Sequence, residues 1–378
     1  MRTALIVGAG IGGLAAGVAL RRVGWRTRIF ERAAAPRELG FALNLAPNAV
    51  AALRALGVAG RIEAEAHRTR TVELRRLDGR PLKRLDVAAL DAPAPALMAL
   101  RQTVHGALLD ATPAGDLALA SDGAGFEPDG DGVLLALGDG RRERGDVLIG
   151  ADGLGSAIRR TLRPGDPPPR DSGLCAVRGV VRGVTAHLGG LSGAVYLGRG
   201  CEAAMIQAGG DAIYWFVSVR ASTVASSSLD APAIAQALLA RLPPSFRAVA
   251  DASSPDDLRY DALVDRDPIA PWGTGVVTLL GDAAHPMLPQ TGQGAAQALE
   301  DAVALGEALA VPGAGRLHWT GALRAYEHVR AARTAAIVRR GRRLAATVAM
   351  DGAIVDWLRA SVIRATPARL LAAAMLRV

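Results

Sequence analysis

The first residues with chemical potential are glycines. In Val7-Gly8-Ala9-Gly10-Ile11-Gly12-Gly13, Gly8, Gly10 and Gly13 have the spacing G-x-G-x-x-G directly after the apolar run Ala4 to Val7. Gly8 permits a tight turn, Gly10 lets a pyrophosphate approach the backbone, and Gly13 lets the following helix pack on the strand, with Gly12 beside them. Leu14 to Arg22 has helical character, and after Gly24 the run Thr27 to Glu31 reads as a second strand. Glu31 at its end is placed to accept hydrogen bonds from ribose hydroxyls. Its charge disfavours a 2′-phosphate, so the unit suits FAD or NAD better than NADP, an inference that the neighbouring Arg32 softens.

Two further apolar runs end in glycine followed by aspartate. Val147-Leu148-Ile149-Gly150-Ala151-Asp152-Gly153 leads to Ser156 and Arg159. Val277 to Leu280 leads to Gly281-Asp282, then His285 and Pro289-Gln290-Thr291-Gly292-Gln293-Gly294. An aspartate after a strand is a helix cap more often than a ligand contact, but two of them behind glycines suggest one ligand met by several strand ends. Backbone amides from Gly292 to Ala295, at the start of the next helix, are suited to stabilising negative charge such as that of a reduced flavin ring. His285 reads equally as a buried loop histidine and is given no role.

These signals require an α/β chain with a Rossmann-like first domain. From Leu117 to Asp152, short strands are separated by the turn signals SDGAG, PDGDG and GDG. From Asp171 to Leu263, β-rich stretches such as Ala194 to Leu197 and Ile213 to Val219 predict an antiparallel sheet forming a second domain, entered through Pro164 to Pro169. After Leu280 the chain is alanine-rich and helical. The 378 residues fit two connected domains of a soluble protein. No apolar stretch is long enough to suggest a membrane span. Cys175 and Cys201 lack the spacing of a metal site, so no metal is expected and a reducing cytoplasm is the default compartment. The net charge of +8 comes almost entirely from arginine. Its densest cluster, Arg339, Arg340, Arg342 and Arg343, lacks interleaved aromatics and reads as a solvated helix face, not a nucleic-acid surface.

Taken together, GAGIGGLAAGVALRRVGWRTRIFER, LAPNAVAALRALGV, Arg101 in LRQTVHGAL, VLIGADGLGSAIRR and LLGDAAHPMLPQTGQGAAQALEDAVAL resemble the single-component FAD-dependent aromatic hydroxylases of the p-hydroxybenzoate and salicylate hydroxylase type, from residue 3 to about 345. The resemblance implies a discontinuous FAD-binding domain over 1–70, 101–170 and 275–330, a substrate domain over 71–100 and 171–274, and a helical segment over 331–378. It implies that Glu31 binds the adenosine ribose, Arg101 lies along the pyrophosphate and ribityl chain, and Asp152 belongs to a motif tied to both FAD and NAD(P)H. Asp282, behind Gly281, would bond the ribityl or pyrophosphate region, and Pro289 and Gly292 to Ala295, with Gly294 among them, would line the flavin ring.

The activity implied is reduction of FAD by NADH or NADPH, formation of a flavin hydroperoxide with O2, and transfer of one oxygen to an aromatic or heteroaromatic small molecule. The second reading is an epoxidase or tailoring oxygenase on a polyketide, quinolone or terpenoid. A non-catalytic FAD-binding protein is the third. Arg178, Tyr214 and Gln290 are the candidates for handling the substrate, each with a structural alternative: a surface ion pair for Arg178, a core aromatic for Tyr214. Phe41, in Gly40 to Leu45, stands where a small residue is more usual. Few aromatics are expected along the pocket. Substrate, oligomeric state and the choice between NADH and NADPH are undetermined at this level.

Overall fold

The computed structural model describes residues 2–36, 41–224, 234, 236 and 238–376. Gly40, singled out above, lies outside them. Thr3–Val7, all but its first residue buried, is the central strand of a five-stranded parallel sheet in the order Val277–Leu279, Val147–Gly150, Thr3–Val7, Arg26–Phe30, Leu117–Ala118. Burial on both faces explains why these strands read as continuous apolar runs without alternation. The helices Ile11–Arg22 and Gly294–Leu309 pack closely together; a Cβ on Gly306 would stand 3.1 Å from the Cβ of Ala19. On the sheet, an added Cβ at Gly123 or Gly145 would lie 2.6 Å from the side chain of Val7 or Leu5. Those glycines belong to a three-stranded antiparallel meander, Gly123–Asp129, Gly132–Leu137 and Arg142–Gly145. PDGDG and GDG form its turns. SDGAG, expected to be a third turn, is instead the start of the first strand, because Gly123 is needed for contact with Val7.

The second sheet has seven strands in the order Arg259–Asp265, Arg170–Arg182, Ala212–Arg220, Cys201–Gln207, Gly193–Gly198, Thr71–Arg76, Pro81–Asp86. Its pairings are antiparallel except that of Gly193–Gly198 with Thr71–Arg76, which is parallel. One face buries Trp215, Val217, Tyr196 and Met205 against the helix Pro244–Asp251 through Phe246 and Val249. The other face carries Arg178, Tyr214 and Phe216.

Two expected boundaries move. Leu97–Leu100, assigned with 71–100 to the substrate domain, pairs with Ala42–Leu45 and His67–Arg68 in a separate small sheet, and Leu97 and Ala99 enter the core of the first domain. The expected break at 330 falls inside one helix, Arg316–Ala349, whose Trp319, Leu323 and Tyr326 are anchored in that same core. Nor is the arginine cluster on this helix only a solvated face. Arg339 and Arg343 are exposed, whereas Arg342 pairs with Asp265, at 2.8 Å, and with Asp267, tying the helix to the second sheet.

Candidate active site

Backbone bonds hold the strand ends of the parallel sheet side by side. Gly8 donates to the Phe30 carbonyl at 2.7 Å, Ala151 to Val7 at 2.8 Å, and Leu280 to Gly150 at 2.9 Å. The buried Arg159 guanidinium donates to the carbonyls of Ala283 and Ala284 and pairs with Asp166, so the second strand end is locked to the third.

The glycines divide by function. Gly8 has φ +101°, and a Cβ there would lie 2.5 Å from the Ala151 carbonyl; one on Gly13 would lie 1.9 Å from the Gly8 carbonyl. Gly12 faces Leu280 and Ala298, at 2.7 and 3.3 Å from an added Cβ, so its missing side chain serves helix packing. Gly10 alone of the four has open space where its side chain would be, and it is the N-cap of Ile11–Arg22 with no side chain capping the first turn. Gln293 at the start of Gly294–Leu309 likewise offers no side-chain cap. Two helix starts therefore present unsatisfied amides and positive dipole ends. The third helix start is different. The Asp152 carboxylate accepts from the Ser156 hydroxyl and from the amides of Ala157 and Ile158, and the Ser156 hydroxyl accepts from the Arg159 amide. Asp152 thus caps and positions a helix, the commoner of its two sequence readings. Burial raises its carboxyl above the usual range, against these hydrogen bonds.

Glu31 sits beside the glycine turn. Its two oxygens accept from the amides of Ala9 and Ala33 at 2.8 and 2.9 Å, which orients the carboxylate and leaves lone pairs for hydroxyl donors. Arg32 next to it is exposed. His105, which the sequence reading passed over, bonds the Ala9 carbonyl at 2.8 Å and fastens the helix Arg101–Asp110 to the turn.

Arg101 opens that helix and donates its amide to the Phe41 carbonyl at 2.8 Å. Burial lowers the pKa of its guanidinium, partly offset by Asp282. Asp282 is exposed at its surface yet crowded by the surrounding protein. The crowding raises its carboxyl despite His285 and Arg101, and Asp301 adds to the rise. His285 is a buried structural residue, bonded to Asp301 at 2.6 Å, with Arg330 on the other carboxylate oxygen at 2.7 Å.

Pro289 is exposed, and the loop holding it turns through Gly292 at φ +63°, where a Cβ would meet the Asn44 amide group at 3.0 Å. Gly294 and Ala295 are half-buried at the helix start. Gln290 Oε1 and Thr291 Oγ1 are buried without partners among the described residues. The second sheet meets this loop through the face opposite its Trp215 core, where Ala176 clusters with Leu288. Tyr214 contacts Phe41 and Phe216, with both ring centroids 5.9 Å away. Tertiary packing thus brings Phe41 to the Tyr214 ring of a distant strand, with Phe216 beyond Tyr214 in sequence. Burial pushes the Tyr214 hydroxyl up to about 12, Arg178 opposing. Arg178 lies 3.5 Å from Asp261, itself half exposed. Glu202 on the same face went unnoticed, although CEAAMIQ carries one lone carboxylate in an apolar strand.

A family model described as an FAD binding domain matches residues 1–341. The chain belongs to this family. It is 34% identical over 371 residues to the aurachin C monooxygenase/isomerase of Stigmatella aurantiaca, covering 96% of this chain and 94% of that protein. It is 33% identical to 3-hydroxybenzoate 6-hydroxylase 1 of Aquipseudomonas alcaligenes, with 88% and 86% covered. The Klebsiella pneumoniae protein HpxO, solved with FAD and uric acid, superimposes with a TM-score of 0.90 at 26% identity, over 99% of this chain and 96% of that one. The protein is an FAD-dependent monooxygenase of the aromatic hydroxylase type. The residues present fit FAD: two uncapped helix starts, an open approach at Gly10 and an oriented Glu31 carboxylate are complementary to an anionic dinucleotide with ribose hydroxyls. Among the described residues, this flavin monooxygenase has no helix long and apolar enough to cross a membrane.

Proposed function

We propose that the protein acts in the cytoplasm, takes reducing equivalents from NADH or NADPH, and inserts one oxygen atom from O2 into an aromatic or heteroaromatic small molecule held between the Pro289–Thr291 turn and the Tyr214 face. The observation that carries this reading is the pair of uncapped helix starts, at Gly10 and Gln293, in a chain whose loop before Gln293 meets, through Leu288 and Ala176, the sheet face bearing Tyr214, Phe216 and Arg178. Bound FAD supplies the redox and oxygen-transfer chemistry. In this proposal the amides after Gly10 bind the pyrophosphate, Glu31 the ribose, and Arg101 with Asp282 the chain leading to the ring. The amides from Gly292 to Ala295 hold negative charge at the flavin ring. Tyr214, its hydroxyl kept protonated near neutral pH, donates a hydrogen bond to a substrate oxygen, Arg178 stabilises charge developing there, and Gln290 orients the ring.

The test is oxygen consumption and product mass. Substrate-stimulated NAD(P)H oxidation must yield a product one oxygen atom heavier; hydrogen peroxide alone, across phenols, quinolones and purines, would sink the proposal. Asp282→Ala removes a charge-assisted contact of about 1.5–3 kcal/mol and is expected to weaken FAD binding by roughly tenfold to a hundredfold. Unchanged affinity in a fluorescence titration would remove Asp282 from the site.

A further inference from the structure

The face of the seven-stranded sheet opposite its Trp215 core carries a carboxylate that the roles above do not use. Directly paired residues of adjacent strands share a face. Glu202 pairs with Ser218, Ser218 with Ala176, and Ala176 with Asp261, so these four form one row across four strands. The next row contains Ala204, Phe216 and Arg178, and the one after it Ile206, Tyr214 and Val180. Ala176 packs with Leu288, the residue before Pro289, and with Ala345 of the long helix. Glu202 therefore stands on the face that meets the flavin-ring loop, one row from Phe216 and two from Tyr214.

Glu202 is half-buried and makes no hydrogen bond or ion pair with the described residues. The Ser218 hydroxyl opposite it is buried and, among the described residues, without a partner. Cations on neighbouring elements are engaged elsewhere: Arg76 with Asp78, Arg178 with Asp261, Arg342 with Asp265 and Asp267, and Arg359 with Asp356. Arg343 is exposed. Burial without a counter-charge pushes the Glu202 carboxyl up to about 7. A carboxylate in that position is costly unless a ligand supplies a donor.

We propose that Glu202 is a specificity-determining residue: its carboxylate accepts a hydrogen bond from a ring N–H of the substrate, with Ser218 beside it. The pocket thereby selects uncharged nitrogen heteroaromatics over substrates that would place a carboxylate there. Repulsion between Glu202 and a benzoate-type carboxylate provides the discrimination. The inference rests on the monooxygenase reading above.

The experiment uses the FAD-loaded full chain and measures binding of 4-hydroxy-2-methylquinoline, which has a 4-quinolone tautomer bearing the ring N–H, and of 3-hydroxybenzoate by perturbation of the flavin absorbance, from pH 6 to 8. The quinoline is expected to bind at least about tenfold tighter than the benzoate. Its affinity should rise by about tenfold from pH 6 to 8 as the carboxylate ionises. Glu202→Gln, isosteric and non-titrating, should flatten that pH dependence, and Glu202→Ala should weaken quinoline binding by roughly tenfold to a hundredfold. Loaded wild type that binds the quinoline no better than the benzoate, or a Gln variant with unaltered pH dependence, overturns the inference. Failure of the wild type to hold FAD or oxidise NAD(P)H would instead count against the underlying reading.

Discussion

At Gly10 and Gly13, one residue type answers two different demands. Gly10 has open space and an ordinary φ of −71°, so Gly10→Ala should leave the apo protein's melting temperature unchanged. It should raise the Kd for FAD by about tenfold or more, since the added methyl stands where the pyrophosphate would approach the backbone. Gly13→Ala would bring a Cβ to 1.9 Å from the Gly8 carbonyl. Here apo stability itself should fall, and equal melting temperatures for the two variants would contradict the division. A second prediction concerns Asp301, fully buried between His285 and Arg330 and also accepting from the Gly281 amide. Burial acts to raise its carboxyl, but His285 and Arg330 outweigh it and the pKa is lowered. Its stabilisation is therefore complete above the ordinary carboxylate range and is lost as pH falls through the lowered folded value. Asp301→Asn leaves Glu300, at 2.6 Å, as the remaining carboxylate on Arg330 and should cost about 1.5–3 kcal/mol in urea unfolding at neutral pH.

Among the elements, the long helix Arg316–Ala349 joins the two domains. Trp319 sits edge-on against Trp25 at 4.9 Å in the nucleotide-binding core. Some six turns later Arg342 meets Asp265, whose carboxylate is fully buried and shared with Arg170. Arg342→Ala keeps one of the two arginines on Asp265, so a moderate loss of about 1.5–3 kcal/mol is expected. A loss below about 0.5 kcal/mol in denaturant unfolding would mean that apolar contact at Ala345 alone holds the helix to the sheet. The solvated-face reading of this cluster followed from its lack of aromatic neighbours. Nothing local to Arg342 indicates the aspartate that strand pairing brings to it from the other domain.

For the molecule as a whole, the helix starts at Gly10 and Gln293, together with Glu31, stand ready for one dinucleotide. FAD should therefore stabilise the chain by mass action, by about 2.7 kcal/mol at a free concentration one hundred times its Kd. The melting temperature should rise with FAD and rise less with riboflavin, which has the ring for the Gln293 helix start but lacks the pyrophosphate and adenosine ribose that Gly10 and Glu31 would bind. The α/β class, the glycine turn, Glu31 and the Asp282 loop were legible because each is local: a strand, a tight turn and a helix start recorded within a few residues of one another. What the tertiary structure decided lies between distant segments. It moved Leu97–Leu100 into the first domain, since a pairing partner cannot be read from either strand alone. It set Phe41 against Tyr214, and it placed Glu202 in a row with Ser218 and Ala176, because strand order and register determine which side chains share a face. The family's cofactor is thus determined over short stretches of sequence, while the surface offered to the substrate exists only once the sheet has formed.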